Sequence, residues 1–277
     1  MKRLWRKGMP VKMALVGISV IAMLSLLAPW LAPFDPLAVN PAHRLQPPNR
    51  AHLLGTDQLG RDVLSRLMWG GQLSLTVGLI AVSIELSAGT VVGLASGYLG
   101  GTVDAVVMRL CDVMLAVPGL VLALFIVAIL GPGLTNVMVA LGIGGIPGVT
   151  RLVRGATLAV REREYVESAR AAGAHAVQVM ARHVLPNVLP PILVLTTLDV
   201  GTIILAGAGL SFIGLGAQPP SAEWGAMLTG ARDYFTRAWW LSVFPGLAIM
   251  AVVLCLNVIG DAVRDMLDPW LRQAATK

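Results

Sequence analysis

The sequence predicts an all-α integral membrane protein of about six transmembrane helices, with N- and C-termini cytoplasmic. Three observations lead there. Hydrophobic residues make up 56% of the 277 and charged residues only 13%, whereas a soluble domain is roughly half apolar and a quarter charged. Apolar windows of about 20 residues, the length a helix needs to cross a bilayer, recur along the chain. The arginines sit at the ends of these windows rather than in basic tracts interleaved with aromatics. The net charge of +6 therefore reads as membrane topology, with no nucleic acid as partner and lipid as the surroundings.

Taken in order, the expected spans are 13–31, 73–97, 106–130, 134–152, 191–214 and 239–260. The first follows a basic cytoplasmic segment, 1–12, and is longer than the apolar core of a signal peptide, about 7 to 15 residues, so it is read as an uncleaved helix. Residues 32–72 form an extracytoplasmic segment rich in Pro and Asn, closing with an interfacial helix capped by Thr56 or Asp57. The transmembrane core, 73–260, contains a cytoplasmic loop, 153–190, and a cytoplasmic tail follows at 261–277. Arg151, Arg154, Arg161, Arg163, Arg170 and Arg182 join Lys2, Arg3, Arg6, Lys7 and Lys12 on the side assigned to the cytoplasm. Arg44, Arg50, Arg61 and Arg66 lie on the other side, so the charge bias is present without being clean.

Little in the chain suggests catalysis. It has no phosphate loop of the G-x-x-x-x-G-K-[ST] type, no H-E-x-x-H, no G-x-S-x-G elbow, and its four histidines form no ligand cluster. Cys111 and Cys255 read as packing residues. The ionisable groups in or near the spans include Glu85, Arg109, Asp112 and Asp199. Such groups are costly in hydrocarbon and face other helices or water. Arg109 and Asp112, three apart, read as a self-satisfying pair on one helical face. Asp199 has no cation at helical spacing, which leaves an interhelical bond or the lining of a pathway. Glu85 poses the same choice.

One stretch breaks the apolar pattern: "EYVESARAAGAHAVQVMARHVLPNVLPP", from Glu164 to Pro191. Its first part is a strong helix former that Gly173 should end with a left-handed cap. Its second part has helical periodicity, with Ala176, Val177, Met180 and Val184 on one face, until "LPNVLPP" stops it. Ala169, Ala171 and Ala172 make the first helix a thin rod that fits a partner's groove, or else the stretch is a plain solvated linker.

The order E-x-A-x-x-x-G, followed after about ten residues by L-P, resembles the signature of permease subunits of binding-protein-dependent ABC importers. Glu167, Ser168, Ala169, Gly173, Leu185 and Pro186 occupy its positions, and Arg170 and Ala172 lie within it. Ser168 stands where a second Ala is usual, and His183 where a branched apolar residue is common. "GTDQLGRDVLSRL", "RLCDVMLAVPGLVLA", "LSFIGLGAQPPSAEWGAML", "FPGLAI" and "LNVIGDAVRDMLDP" are similar to landmarks of the second permease subunit of dipeptide, oligopeptide and nickel importers. The resemblance implies a type I ABC importer permease fold in a bacterial inner membrane. It further implies a heterodimer with a sister permease subunit, two cytoplasmic ATPase subunits that carry the ATP and Mg, and an extracytoplasmic substrate-binding protein. This chain would then bind no cofactor or metal and be no enzyme. Residues 164–186 would couple it to an ATPase, and the cargo would be dipeptides or short oligopeptides, with nickel, a metal chelate or glutathione as alternatives. A stand-alone ion-coupled carrier using Glu85 and Asp199, and a membrane scaffold, are the rival classes.

Overall fold

The structure, a computed structural model, describes residues 8–267. The basic residues Lys2, Arg3, Arg6 and Lys7 and the tail beyond 267 lie outside the described residues. Helix α1 (Met9–Leu26) starts ahead of the expected 13, with Pro10 in its first turn, where the missing N–H costs nothing. It breaks at Leu27 before a short α2 (Ala28–Leu31).

The largest departure is α3 (Val63–Leu99), one continuous helix of 37 residues. The interfacial helix expected before residue 73 is its first turns. Neither Thr56 nor Asp57 caps it: Asp62 does, accepting from the Ser65 N–H. At 1.5 Å per residue this helix is about 55 Å long, so part of it must stand clear of a hydrocarbon layer about 30 Å thick.

The expected span 106–130 is two helices, α4 (Gly101–Leu115) and α5 (Gly119–Leu130), bent by 91°. Pro118 biases Val117 out of the helical region and so forces the break. Helix α6 (Leu134–Arg161) carries Pro147 without breaking. The short α7 (Glu164–Ala171) and α8 (Ala176–Val179) follow. Then a π-helical turn, Met180–Val184, leads without interruption into α9 (Leu185–Phe212). The prolines of "LPNVLPP" therefore do not stop the helix: Pro186 lies in the first turn of α9. Helices α10 (Trp224–Ala231) and α11 (Trp240–Leu267) complete the described residues. Among the described residues five helices are long and apolar enough to cross a membrane, or six spans if the bent pair is counted as one.

Helices α3 and α6 run parallel along a seam of glycines. Cβ atoms at Gly89, Gly93 and Gly97 would lie 2.6 Å from Val149, 2.7 Å from the Thr150 carbonyl and 2.8 Å from Thr157. The backbones approach this closely because a small residue recurs every fourth position of α3. Helix α9 packs antiparallel to α3, with Gly78 of α3 against Ile204 and Gly207 of α9 against Val77. Residues such as Phe125, Ile129 and Leu205 stay exposed on the outer face, as lipid-facing side chains do.

The end where α3 begins is closed by the segment 32–62 and α10. Asp57 accepts from Arg61 Nε at 2.6 Å and faces Arg66 Nε at 3.6 Å. Arg66 in turn donates to the carbonyls of Pro36, Pro220 and Ser221. Trp240 Nε1 donates to the Thr56 carbonyl at 3.1 Å, and the buried Glu223 caps α10 while accepting from Ser74.

Candidate coupling surface and intramembrane cavity

The opposite end carries the polar stretch. Helix α7 places Glu164 and Glu167 in its first turn and Arg170 in its last, the arrangement the helix dipole favours. It ends in a Schellman motif. The Gly173 N–H donates to the Arg170 carbonyl at 2.9 Å and the Ala174 N–H to that of Ala169 at 3.1 Å, with Gly173 at φ +83°. A Cβ at Gly173 would meet nothing within 4 Å. The glycine is thus required by its backbone angle, not by close approach of another part of this chain.

The underside of α7 is apolar. Val166 is fully buried in one cluster with Val153 of α6 and with Val179, Val184 and Val188, while Ala169 packs against its edge. The expected apolar face of Ala176, Val177, Met180 and Val184 is corrected here: Val177 is 73% exposed, and Val179 takes the buried position. The π turn explains the shift, because its extra residue puts Val179 and Val184, five apart, on the same side. Asn187 Nδ2 donates to the His183 carbonyl at 2.7 Å within this region. Nothing in the structure explains the His183 imidazole.

Polar ties fasten this end to the bundle. Arg170 Nε donates to the Tyr98 hydroxyl at 3.0 Å, with its guanidinium 4.7 Å from the ring centre. Asp104 of α4 accepts from Ser96 of α3 at 2.6 Å and from both Nε and Nη2 of Arg154 of α6. Arg161 Nη1 reaches the Gly97 carbonyl at 2.9 Å. The outward face presents Glu167, Ser168, Ala172 and Gly173, with Leu185 half-buried and Pro186 exposed at the start of α9. The matched positions Glu167, Ser168 and Gly173 therefore stand on an exposed knob above an apolar wedge.

The four polar residues singled out within the spans divide. Arg109 and Asp112 do not pair with each other. Asp112 instead forms an ion pair with Arg151 of α6, because that helix lies alongside α4, and Arg109 makes no ion pair among the described residues. Glu85 of α3 and Asp199 of α9 do meet: their carboxyl groups come within electrostatic range and line one cavity of about 480 Å³. Sequence reading missed the pairing of Asp104 with Arg154, which no local spacing connects. It also missed the glycines of α3, although their four-residue recurrence is visible in "AGTVVGLASG".

A bent third span, a parallel α3–α6 pair and a helical knob riding on α6 and α9 define a type I importer permease. The chain belongs to the family described as the binding-protein-dependent transport system inner membrane component, whose profile matches residues 89–273. The N-terminal transmembrane domain of oligopeptide transport permease C matches residues 1–48. The chain is 46% identical to the probable D,D-dipeptide transport system permease protein DdpC of Escherichia coli, over 97% of this chain and 91% of that protein. It is 45% identical to the di/tripeptide transport system permease protein DppC of Pseudomonas aeruginosa, over 99% and 94%. The inward-facing MetNI methionine ABC transporter shares the fold, with a TM-score of 0.55 and 21% identity over 73% of this chain and 96% of that one. The protein is accordingly a multi-pass inner-membrane permease of an ABC importer, a transport component and not a catalytic one.

Proposed function

We propose that this chain forms half of the translocation pathway for dipeptides or short oligopeptides. It would work with a sister permease, two cytoplasmic ATPase subunits that hold the ATP and Mg, and an extracytoplasmic binding protein. The peptide cargo is suggested by the relatives, which are described as carrying dipeptides and tripeptides. In this reading both termini and the loop 153–190 face the cytoplasm, and residues 32–72 face the binding protein.

The observation that carries the reading is the mounting of α7. Its outer face is free, while Val166 beneath it sits in the same core as α6 and α9. The ties from Arg170 to Tyr98 and from Arg154 to Asp104 extend the connection to α3 and α4. A force applied at Glu167, Ser168 and Gly173 by a partner therefore reaches four helices at once. ATP binding would close the ATPase pair, drag the docked knobs together and favour the outward-open arrangement of the spans.

Reconstitution tests this. The chain, its sister permease and the ATPases should co-purify and import dialanine in an ATP-dependent way when the binding protein is supplied. Gly173→Val places a β-branched residue at φ +83°, a strain of about 1 to 3 kcal/mol that the cap releases by unwinding. The variant complex should assemble and lose at least tenfold in uptake. Wild-type uptake and wild-type ATPase stimulation by Gly173→Val would refute the docking role.

A further inference from the structure

We propose that Glu85 and Asp199 form a binding site for a primary ammonium group, and that the group it serves is the free amino terminus of a peptide in transit. The inference rests on the reading of the chain as a peptide permease and deepens it.

The cavity between α3, α5, α6 and α9 measures about 480 Å³ and is walled by leucines, glycines and other apolar residues, with Thr202 beside the two carboxyls. That volume falls within the range of small-molecule clefts, about 300 to 1,000 Å³. Glu85 is only 3% exposed, and its Oε1 has no hydrogen-bond partner. Glu85 and Asp199 share a side-chain hydrogen bond, so the unmet capacity is at Oε1. A buried carboxyl oxygen left unmatched in apolar surroundings is costly, which points to a donor that arrives from outside the chain. The bundle also makes room for it. A Cβ at Gly145 would lie 1.6 Å from Glu85 Oε2, so a glycine at this position of α6 leaves the space the carboxyl needs.

The chemistry of the missing partner follows from charge and ligand number. Two carboxyls from different helices, side by side in a low dielectric, attract a cation. Among the described residues none of the arginines supplies it: Arg151 and Arg154 on α6 are taken by Asp112 and Asp104. A metal ion fits poorly, since among the described residues no group of three His, Cys, Asp or Glu could hold one. An ammonium suits two carboxyls better, because it has three donors and directs them at separate acceptors. The apolar walls then suit small side chains flanking the amino terminus.

The test uses the complex of this chain with its sister permease and ATPases in lipid nanodiscs, with the binding protein left out. A hydrophobic carbodiimide modifies buried carboxyls, and mass spectrometry reads the rate at Glu85 and Asp199. Dialanine should slow modification at both at least fivefold, and ethylammonium should do so at higher concentration, while N-acetyl-dialanine and sodium chloride should not. Equal protection by the acetylated peptide or by sodium, or no protection by dialanine, would overturn the site. In the full transporter, Glu85→Gln and Asp199→Asn should each raise the dialanine concentration for half-maximal uptake about tenfold per assembled complex. Unchanged half-saturation in assembled variants would count against it equally. If the wild-type complex imports dialanine and these results fail, only the ammonium site falls; if the wild type imports no peptide at all, the peptide reading falls with it.

Discussion

The two ends of the bundle are built on opposite plans. At the end where α3 begins, charged side chains are buried and fully engaged: Asp57, Asp62, Arg61, Arg66 and Glu223 are all under a tenth exposed, with Asp57 bonded to Arg61, Asp62 to His52, Arg66 to the Ser221 carbonyl and Glu223 to Ser74. At the α7 end the charged residues face outward, and the attachment is an apolar wedge with a few polar pins. Buried polar networks in which every member is satisfied rigidify a structure, and removal of one member is expensive. An exposed helix on an apolar seat can move as a unit and offers its face to a partner. The difference teaches that damage at the first end should appear as lost protein, and damage at the second as lost coupling in a protein that still folds.

The sharpest way to break this contrast is Arg66→Ala. The guanidinium is 4% exposed and joins Asp57 to the carbonyls of Pro36, Pro220 and Ser221. Its loss takes one cation from the buried Asp57 and the donor from three part-buried carbonyls, at a cost of about 3 kcal/mol or more. The expected result is a severe fall in the amount of membrane-inserted protein and in the melting temperature of what survives in detergent. A variant at wild-type abundance and stability would show that the network is ornamental.

A second substitution probes the seam that joins the two ends. Gly93→Leu would drive a side chain into the Thr150 carbonyl and Val153, where even a Cβ is 2.7 Å from each. Overpacking of this kind costs about 1 to 3 kcal/mol, and here it must also push α3 away from α6. Both abundance and uptake should fall, the second more than the first, because α6 carries the seat of α7. Ala at the same position should give the same pattern in weaker form. Normal uptake by the leucine variant would separate the seam from the coupling path.

How much of this was legible beforehand depends on how local each signal is. The apolar runs marked each of the helices that are long and apolar enough to cross a membrane among the described residues, because burial in lipid is written in every residue of a span, but not the 91° bend in the third run. The Gly173 cap was legible for the same reason, since a left-handed residue after a helix-forming run is a local requirement. The continuity of α3 was obscured because Gly70, Gly71 and Gln72 interrupt the apolar run between the interfacial helix and the span, although they are polar or small in order to pack against Ala222, Trp224 and Ser25. The π turn moved the buried face by one residue, a change visible only once Val179, Val184 and Val188 are seen in one cluster. The meeting of Glu85 with Asp199, and of Asp104 with Arg154, joins residues far apart in sequence and depends on helix order, which periodicity does not encode.

The mildest test belongs to the α7 end. Arg170 holds Tyr98 by a hydrogen bond of 3.0 Å and by a guanidinium 4.7 Å from the ring centre, and an exposed cation–π contact is worth about 0.5 to 1 kcal/mol. Arg170→Ala should therefore leave abundance and melting temperature within error of wild type. If the pin merely decorates the surface, uptake will be unchanged too. If it transmits motion of α7 to α3, uptake per ATP hydrolysed should drop severalfold, because Val166 alone still seats the helix while its tie to Tyr98 is gone. Arg170→Lys sharpens the outcome: it keeps the charge but cannot stack its head group as a planar guanidinium does. A lysine variant as impaired as the alanine variant assigns the effect to the geometry of the pin, whereas full recovery assigns it to charge on the outer face of α7, where a partner rather than Tyr98 would feel it.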